Sequence, residues 1–303
     1  NPFEAKKRGA ALSARNIAAH IEREVIDKPR TWKPLVYCWR GGNRSGALAT
    51  VLGAIGFHVT LIEGGYKAWR AALVDDIPRL AQRLHYRVVC GPTGSGKTRL
   101  LQALAAEGAQ VLDLEALASH RSSVLGHIPG QPQPSQKRFD SLIWDALRGF
   151  DPARVVYVES ESKKVGNVRV PDALIDAMRA SPCIDLQLSD EERVALLLED
   201  YDFFVQDSAH FCQRLQALTE LRGKAVVEDW ITQVQTGQTP AVVLDLLKLH
   251  YDPTYAQSIS RNFSQYGQAL PCVLRDRSKI SLDEAAASLM ASEAAAAPAS
   301  LAG

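Results

Sequence analysis

Short apolar runs bounded by glycine or proline alternate along this chain with amphipathic stretches. Leu12, Ile17 and Ile21 recur at roughly helical spacing and predict a first helix over residues 4–24. Residues 29–34 begin and end on proline and break it. Leu35-Val36-Tyr37-Cys38 then predicts a buried strand, Gly41-Gly42 a tight loop, and residues 45–55 a helix stopped by Gly56. Residues 59–62 predict a second strand, Gly64-Gly65 a turn and residues 66–72 a helix. Residues 75–84 are expected to connect to a further domain.

The pattern then changes to strands separated by long helices. Tyr86-Arg87-Val88-Val89-Cys90 predicts a strand running into a glycine-rich loop, with a helix over 97–107. Further strands are expected at 111–114, 155–158 and 184–188, with helices at about 136–148 and 171–180. That alternation predicts a parallel sheet with crossover helices. Ser189-Asp190-Glu191-Glu192 has the form of a capping box before an apolar helix. Two or three more helices are expected to about residue 266, with Asp252-Pro253 as an N-cap followed by a first-turn proline. The alanine-rich stretch from Asp283 shows no amphipathic stripe and is expected to be disordered. Residues 127–134, with Gly130 and three prolines, read either as a lid over a binding site or as plain surface connection.

A chain of 303 residues suggests about two domains. Its 46% hydrophobic and 23% charged residues fit a soluble globular protein. No apolar run approaches the roughly 20 residues that span a bilayer. The first residues lack the apolar core of a signal peptide, and the chain does not begin with Met, which suggests a fragment or trimmed form. Its five cysteines lie at 38, 90, 183, 212 and 272 without a CxxC pair, arguing against a zinc site or a disulfide framework. Scattered thiols suit a reducing cytoplasm. Net charge is +1, unevenly spread: residues 1–87 hold 15 Lys and Arg against 7 Asp and Glu, residues 88–303 hold 20 against 27. The basic N-terminal part reads either as a surface for a polyanion such as nucleic acid or as ordinary solvated charge.

Two loops carry candidate chemistry. Gly91-Pro92-Thr93-Gly94-Ser95-Gly96-Lys97-Thr98 matches G-x-x-x-x-G-K-[ST] between a strand and a helix. Its glycines let backbone N–H groups turn inward onto a phosphate, and the helix that follows adds its positive end. Lys97 would meet the outer phosphate and Thr98 a Mg²⁺ ion, if one is bound. Asp113 and Glu159 each end a neighbouring strand, and either could be the acid linked to that ion. The second loop, Cys38-Trp39-Arg40-Gly41-Gly42-Asn43-Arg44-Ser45, joins a strand-end thiol to a helix N-terminus. Loop N–H groups, the helix dipole and two arginines would favour a reactive thiolate and bind an anionic donor.

Residues 38–45, followed by Glu63-Gly64-Gly65-Tyr66-Lys67-Ala68-Trp69-Arg70, resemble the second half of a rhodanese domain. A rhodanese joined directly to a P-loop domain resembles the tRNA 2-selenouridine synthase family. Asp113-Leu114-Glu115, His120-Arg121-Ser122-Ser123, Glu159-Ser160-Glu161-Ser162 and Tyr251-Asp252-Pro253-Thr254-Tyr255 agree with it, so the resemblance runs over about 2–280. It implies an α/β chain: a partial rhodanese-like domain over 1–82, a P-loop NTPase-like parallel-sheet domain with C-terminal helices over 83–280, and a tail over 281–303. A rhodanese domain carries further strands before its cysteine. Only 37 residues precede Cys38 here, and they read mainly as helix, so the upstream part is expected to be absent.

What the resemblance implies about activity is a cytoplasmic transferase acting on the wobble 2-thiouridine in the anticodon loop of certain tRNAs. Geranyl diphosphate alkylates the sulfur, and selenophosphate then replaces the geranylthio group with selenium. Cys38 would serve the selenium step, with Arg40 and Arg44 holding the donor. Residues 91–98 would bind a diphosphate. Trp39, Gly41, Gly42, Ser45, Asp113, Arg121 and Glu159 are expected in supporting places. No tightly bound cofactor is implied, and Mg²⁺ use stays open. Two other classes stand beside this one: a nucleotide-dependent kinase or NTPase with an attached sulfurtransferase domain, and a non-catalytic sensor in which both loops only bind ligands.

Overall fold

The computed structural model describes residues 1–121, 130–200 and 207–296. It divides into two compact units, Asn1–Asp76 and Ile77–Gly303.

In the first unit, helix α1 (Pro2–His20) runs on into a π-helical turn, Ile21–Val25. None of the α1 side chains is buried, and Leu12 of the expected apolar stripe is exposed. Strand β1 (Leu35–Val36) pairs in parallel with β2 (Thr60–Leu61), and helix α2 (Asn43–Ile55) links them. Val25, Val36 and Leu52 form a small core with Trp32 and Phe57, whose rings meet edge to face at 5.5 Å. The strand expected over 35–38 is shorter. The carbonyls of Cys38 and Trp39 accept hydrogen bonds from Tyr66 N and Lys67 N, at the start of helix α3 (Gly65–Gln82), instead of joining a ladder. The helix expected over 66–72 is longer and absorbs most of the expected connection at 75–84, passing through Pro78. Leu73, Ile77, Leu80 and Ala81 are buried at helical spacing, and that burial carries the helix past the proline.

The second unit takes in the last turns of α3 and continues with β3 (His85–Cys90), α4 (Lys97–Ala106), β4 (Gln110–Leu112) and α5 (Leu114–Ala118). After α6 (Gln136–Gly149) and β5 (Val155–Glu159) come a small antiparallel hairpin, β6 (Lys164–Val165) and β7 (Val168–Arg169), then α7 (Asp172–Arg179), β8 (Cys183–Gln187) and α8 (Asp190–Asp200). Helices α9 (Ser208–Gln216), α10 (Thr219–Arg222), α11 (Lys224–Gln235), α12 (Thr239–Leu246) and α13 (Asp252–Asn262) precede β9 (Leu270–Val273) and α14 (Lys279–Ala296). The sheet order is β4-β5-β3-β8-β9, all parallel, as the alternation of strands and helices predicts. The chain moves from β3 out to β4, returns to β5, then crosses β3 to β8. That reversal sits at the carboxyl end of β3, where open parallel sheets leave a crevice for ligands.

Strand β9 has no counterpart among the expected elements. It is four residues long and contains Pro271, which an edge strand tolerates. The expected disorder is corrected over residues 283–296, the rest of that stretch lying outside the described residues: α14 is a helix whose Leu282, Ala286 and Leu289 are buried with Leu100, Leu101 and Leu104 of α4. Of the four buried positions among the described residues of α14, one is alanine and one, Ser281, is polar, so the apolar stripe is too narrow to register as amphipathic. Arg87 on β3 pairs with Glu293 of α14 and fastens the same helix. A separate helical core gathers Phe211, Leu215, Trp230, Val234 and Leu246 from α9, α11 and α12.

The capping box is half formed. Ser189 Oγ accepts from Glu192 N at 3.4 Å, while the Glu192 carboxylate turns to Arg277. Asp252 is not an N-cap: the preceding Tyr251 is itself helical, and the Asp252 carboxylate is taken by Arg193.

Docking of α14 is testable. Leu289→Ala should lower the stability of the second unit by about 2–4 kcal/mol, read as a lower urea midpoint by circular dichroism of the whole chain. An unchanged midpoint would mean that α14 contributes no packing.

Candidate functional site

In the first unit, Cys38 lies just beyond β1 and before α2. Gly41 and Gly42 both adopt left-handed backbone (φ 77° and 74°), so the chain turns tightly and α2 starts directly behind the thiol. Ser45 Oγ donates to Cys38 Sγ at 3.4 Å and lies 3.0 Å from Gly42 O, and the thiol donates to Arg40 O at 3.3 Å. The Ser45 hydroxyl, followed by the Ser45 N–H and other loop backbone groups, lowers the Cys38 pKa to about 7. About half the thiol is then ionised at neutral pH, as a nucleophile requires. The other four cysteines are buried, so Cys38 is the accessible thiol.

The expected neighbours are placed by backbone geometry. Gly65 has φ 63°, and a Cβ there would sit 2.2 Å from Cys38 O, so only glycine lets the two loops approach. Arg40 and Arg44 are exposed on the loop. Trp39 stacks on Tyr66 with ring centroids 4.9 Å apart.

In the second unit the glycine loop lies between β3 and α4. Gly94 and Gly96 are left-handed (φ 78° and 89°), and Gly96 is the residue before the helix. A Cβ on Gly91 would meet Ser95 Oγ at 2.4 Å and Leu186 O at 2.8 Å. Ser95 is fully buried, and its hydroxyl has no hydrogen-bond partner among the described residues. Lys97 Nζ donates to Gly91 O at 2.9 Å and lies 6.0 Å from the Tyr255 ring centroid. The loop therefore curls around its own lysine, with an unpaired hydroxyl inside it.

Register brings the acids to this loop. Val89 of β3 lies opposite Glu159 of β5, so the end of β5 reaches the start of the loop. Thr98 Oγ1 lies 3.3 Å from Glu159 and 3.4 Å from Glu115. Ligand oxygens of Glu115, Glu159 and Glu161 fall within 4.8 Å of one another. Burial, then repulsion from Glu115 and Glu161, pushes the Glu159 carboxyl well above the usual range. Three hard oxygen donors and a threonine hydroxyl beside a phosphate loop fit Mg²⁺, whose charge would relieve that repulsion. Of the two acids considered from sequence, Glu159 faces Thr98, while Asp113 accepts from Ala116 N at 2.8 Å and caps α5.

Sequence reasoning missed Glu115 and Glu161 as donors, although both stand within the stretches that carry the resemblance. Glu159 and Glu161 are two residues apart at a strand end, a spacing that turns side chains to one side. It also missed Arg193, whose side chain is 4% exposed. Arg193 donates to Thr93 O at 2.8 and 3.0 Å, to both Asp252 oxygens and to Asp190. Its signal was a cation three residues before the buried Leu196, which calls for an acid partner. Tyr255 was missed likewise; its hydroxyl accepts from Gly91 N at 2.5 Å. Arg121 donates to Asp200 O at the end of α8. Ser122, Ser123 and residues 127–129 of the 127–134 loop lie outside the described residues. Beyond them, Gln133 bonds Ala118 O and Val165 O and ties the loop's exit to the β6–β7 hairpin.

Comparison with known proteins follows the same lines. Residues 82–221 match the model of the tRNA 2-selenouridine synthase AAA domain. A tRNA 2-selenouridine synthase of Alcanivorax borkumensis is 38% identical over 190 residues, which is 61% of this chain and 51% of the relative. That of Cupriavidus pinatubonensis is 40% identical over 250 residues, 73% of this chain and 67% of the relative. That of Shewanella loihica is 30% identical over 254 residues, 75% and 67% respectively. No solved structure matches the chain. The chain spans about half the length of the Alcanivorax borkumensis relative and of several other tRNA 2-selenouridine synthases it matches. Likeness of this extent makes the chain a member of the tRNA 2-selenouridine synthase family.

Proposed function

We propose that this chain is a tRNA-modifying transferase that replaces the sulfur of wobble 2-thiouridine with selenium through an S-geranyl intermediate. The observation that carries the reading is the pairing, in one chain of this family, of an ionisable, partly accessible thiol with a phosphate-shaped loop. The first unit is read as part of a rhodanese-like domain and the second as a P-loop domain.

In the first step a C–S bond forms to the geranyl carbon as its bond to diphosphate breaks. Residues 91–98 hold the departing diphosphate, with the Lys97 ammonium against its charge. Alkylated sulfur is the better leaving group. In the second step the selenium of selenophosphate bonds the base carbon as geranylthiol leaves, and water cleaves the Se–P bond to release phosphate. Cys38 serves this step, and Arg40 and Arg44 bind the anionic donor. Neither step requires ATP hydrolysis. Thr98, Glu159, Glu115 and Glu161 are the groups that would hold Mg²⁺, which neutralises diphosphate charge when bound. The basic surplus of residues 1–87 contacts tRNA phosphates, and the reaction belongs in the cytoplasm. Among the described residues no helix is long and apolar enough to cross a membrane.

One observation also favours nucleotide chemistry: Thr98 against Glu159 is the arrangement by which nucleotide-binding loops hold a metal. A kinase or NTPase with an attached sulfurtransferase unit is therefore the second reading. A crystal soaked with geranyl diphosphate and ATP together separates them by which one fills the loop.

Mass spectrometry of tRNA nucleosides after incubation with geranyl diphosphate and selenophosphate should show 2-selenouridine. Cys38→Ala should abolish selenation and leave geranylation; selenation that persists would remove Cys38 from the mechanism. Alkylation of Cys38 by iodoacetamide should rise with pH through an inflection near 7 and then level off. Ser45→Ala should move that inflection up toward the ordinary thiol value of about 8.5, so the rate at neutral pH falls; an unmoved inflection would mean that Ser45 does not stabilise the thiolate. Titration calorimetry of diphosphate with Mg²⁺ should show affinity that weakens as pH falls, because protons compete for Glu159. Glu159→Gln should cut the Mg²⁺-dependent part by about tenfold or more. Equal affinity with and without Mg²⁺ would dismiss the metal.

A further inference from the structure

Beside Cys38 the first unit carries three aromatic rings that the chemistry above does not use. Trp39 and Tyr66 are stacked, with centroids 4.9 Å apart and planes inclined by 17°. Tyr66 meets Trp69 at 5.5 Å and 42°. Trp39 is 53% exposed, on the loop that carries the candidate thiol. The stack is held by backbone, not by chance contact of side chains. Tyr66 N donates to Cys38 O at 2.9 Å and Lys67 N to Trp39 O at 3.2 Å, so the residues on either side of the thiol's peptide are locked to the start of α3. Gly65 makes that approach sterically feasible.

We propose that Trp39, Tyr66 and Trp69 form a stacking platform that receives an unpaired nucleobase of RNA next to Cys38. The inference rests on the tRNA reading of the thiol site and deepens it by naming the residues that take the base. Every base has a π-face, and a base splayed from a single-stranded loop needs a flat, ordered aromatic surface to replace its lost neighbours. A ring pair already stacked offers one with little ordering cost. Charge selects the occupant. Arg40, Arg44 and Lys67 are exposed around these rings along the chain, and cations interleaved with aromatics match a polyanion carrying bases. A purely apolar peptide would gain nothing from them. Trp39 is thus a positioning residue for the substrate base, distinct from the thiol that does chemistry.

The test is binding of a fluorescently labelled anticodon stem–loop RNA to the whole chain, with either 2-thiouridine or an abasic site at the wobble position. Wild type should bind the abasic RNA about tenfold more weakly than the thiouridine RNA. Trp39→Ala and Tyr66→Ala should each weaken binding of the thiouridine RNA by a similar factor and erase its advantage over the abasic RNA. Trp39→Phe should restore part of it. The pH profile of Cys38 alkylation should be the same in Trp39→Ala as in wild type, which a general collapse of the loop would not allow. Equal binding by wild type and Trp39→Ala, an abasic penalty that persists in Trp39→Ala, or no RNA binding at all would overturn the platform. Selenation assayed in parallel separates the two readings. Conversion of thiouridine with unchanged KM in Trp39→Ala defeats the platform and leaves the activity standing. Trp39-dependent base binding without conversion does the reverse.

Discussion

The pairing of β3 with β5 sets the geometry of the glycine-loop site. His85 lies opposite Val155, and the in-register run ends with Val89 opposite Glu159. One strand therefore delivers the loop and its neighbour delivers the acid, at the same carboxyl end of the sheet. A shift of one residue would turn Glu159 to the other face of the sheet, away from Thr98. The register is held by burial: Tyr86 lies opposite Val156, Val88 opposite Val158 and Val89 opposite Ile184, all in a dry interior where unpaired backbone groups are costly.

A buried charge then fixes the loop to the helical part. The Arg193 guanidinium sits almost out of solvent and would be expensive there without partners. Asp190 and Asp252 neutralise it, and its remaining donors grip the Thr93 carbonyl. Helices α8 and α13 thus reach the glycine loop through one side chain, and Tyr255 of α13 adds a second tie at Gly91 N. The acid cluster is the opposite case. Glu115, Glu159 and Glu161 crowd together in a place where their charges repel, an arrangement whose cost a bound cation would offset.

The thiol loop works by simpler means. Two left-handed glycines bring the end of β1 to the start of α2, and Ser45 supplies the hydrogen bond that acidifies Cys38. Both loops put a reactive or charged group at a helix N-terminus, where backbone N–H groups lack partners within the helix. The two differ in what fills the turn: a thiol in one, an ammonium and a hydroxyl in the other.

By itself the sequence determined the alternation of strands and helices, the parallel sheet, both loops and the family resemblance. These are local signals, carried by glycine spacing and by apolar runs of strand or helix length. The shortness of β1, the path of α3 through Pro78, strand β9 and the docking of α14 were decided by tertiary structure. In each, a distant partner overrode local preference: backbone bonds to Tyr66 and Lys67, the buried stripe of Leu73 to Ala81, the free edge of β8, and the surface of α4. The same holds for the acid cluster and Arg193. Residue types at strand ends were legible in the sequence, but which carboxylates converge depends on strand order, and strand order is set by how helices cover the sheet.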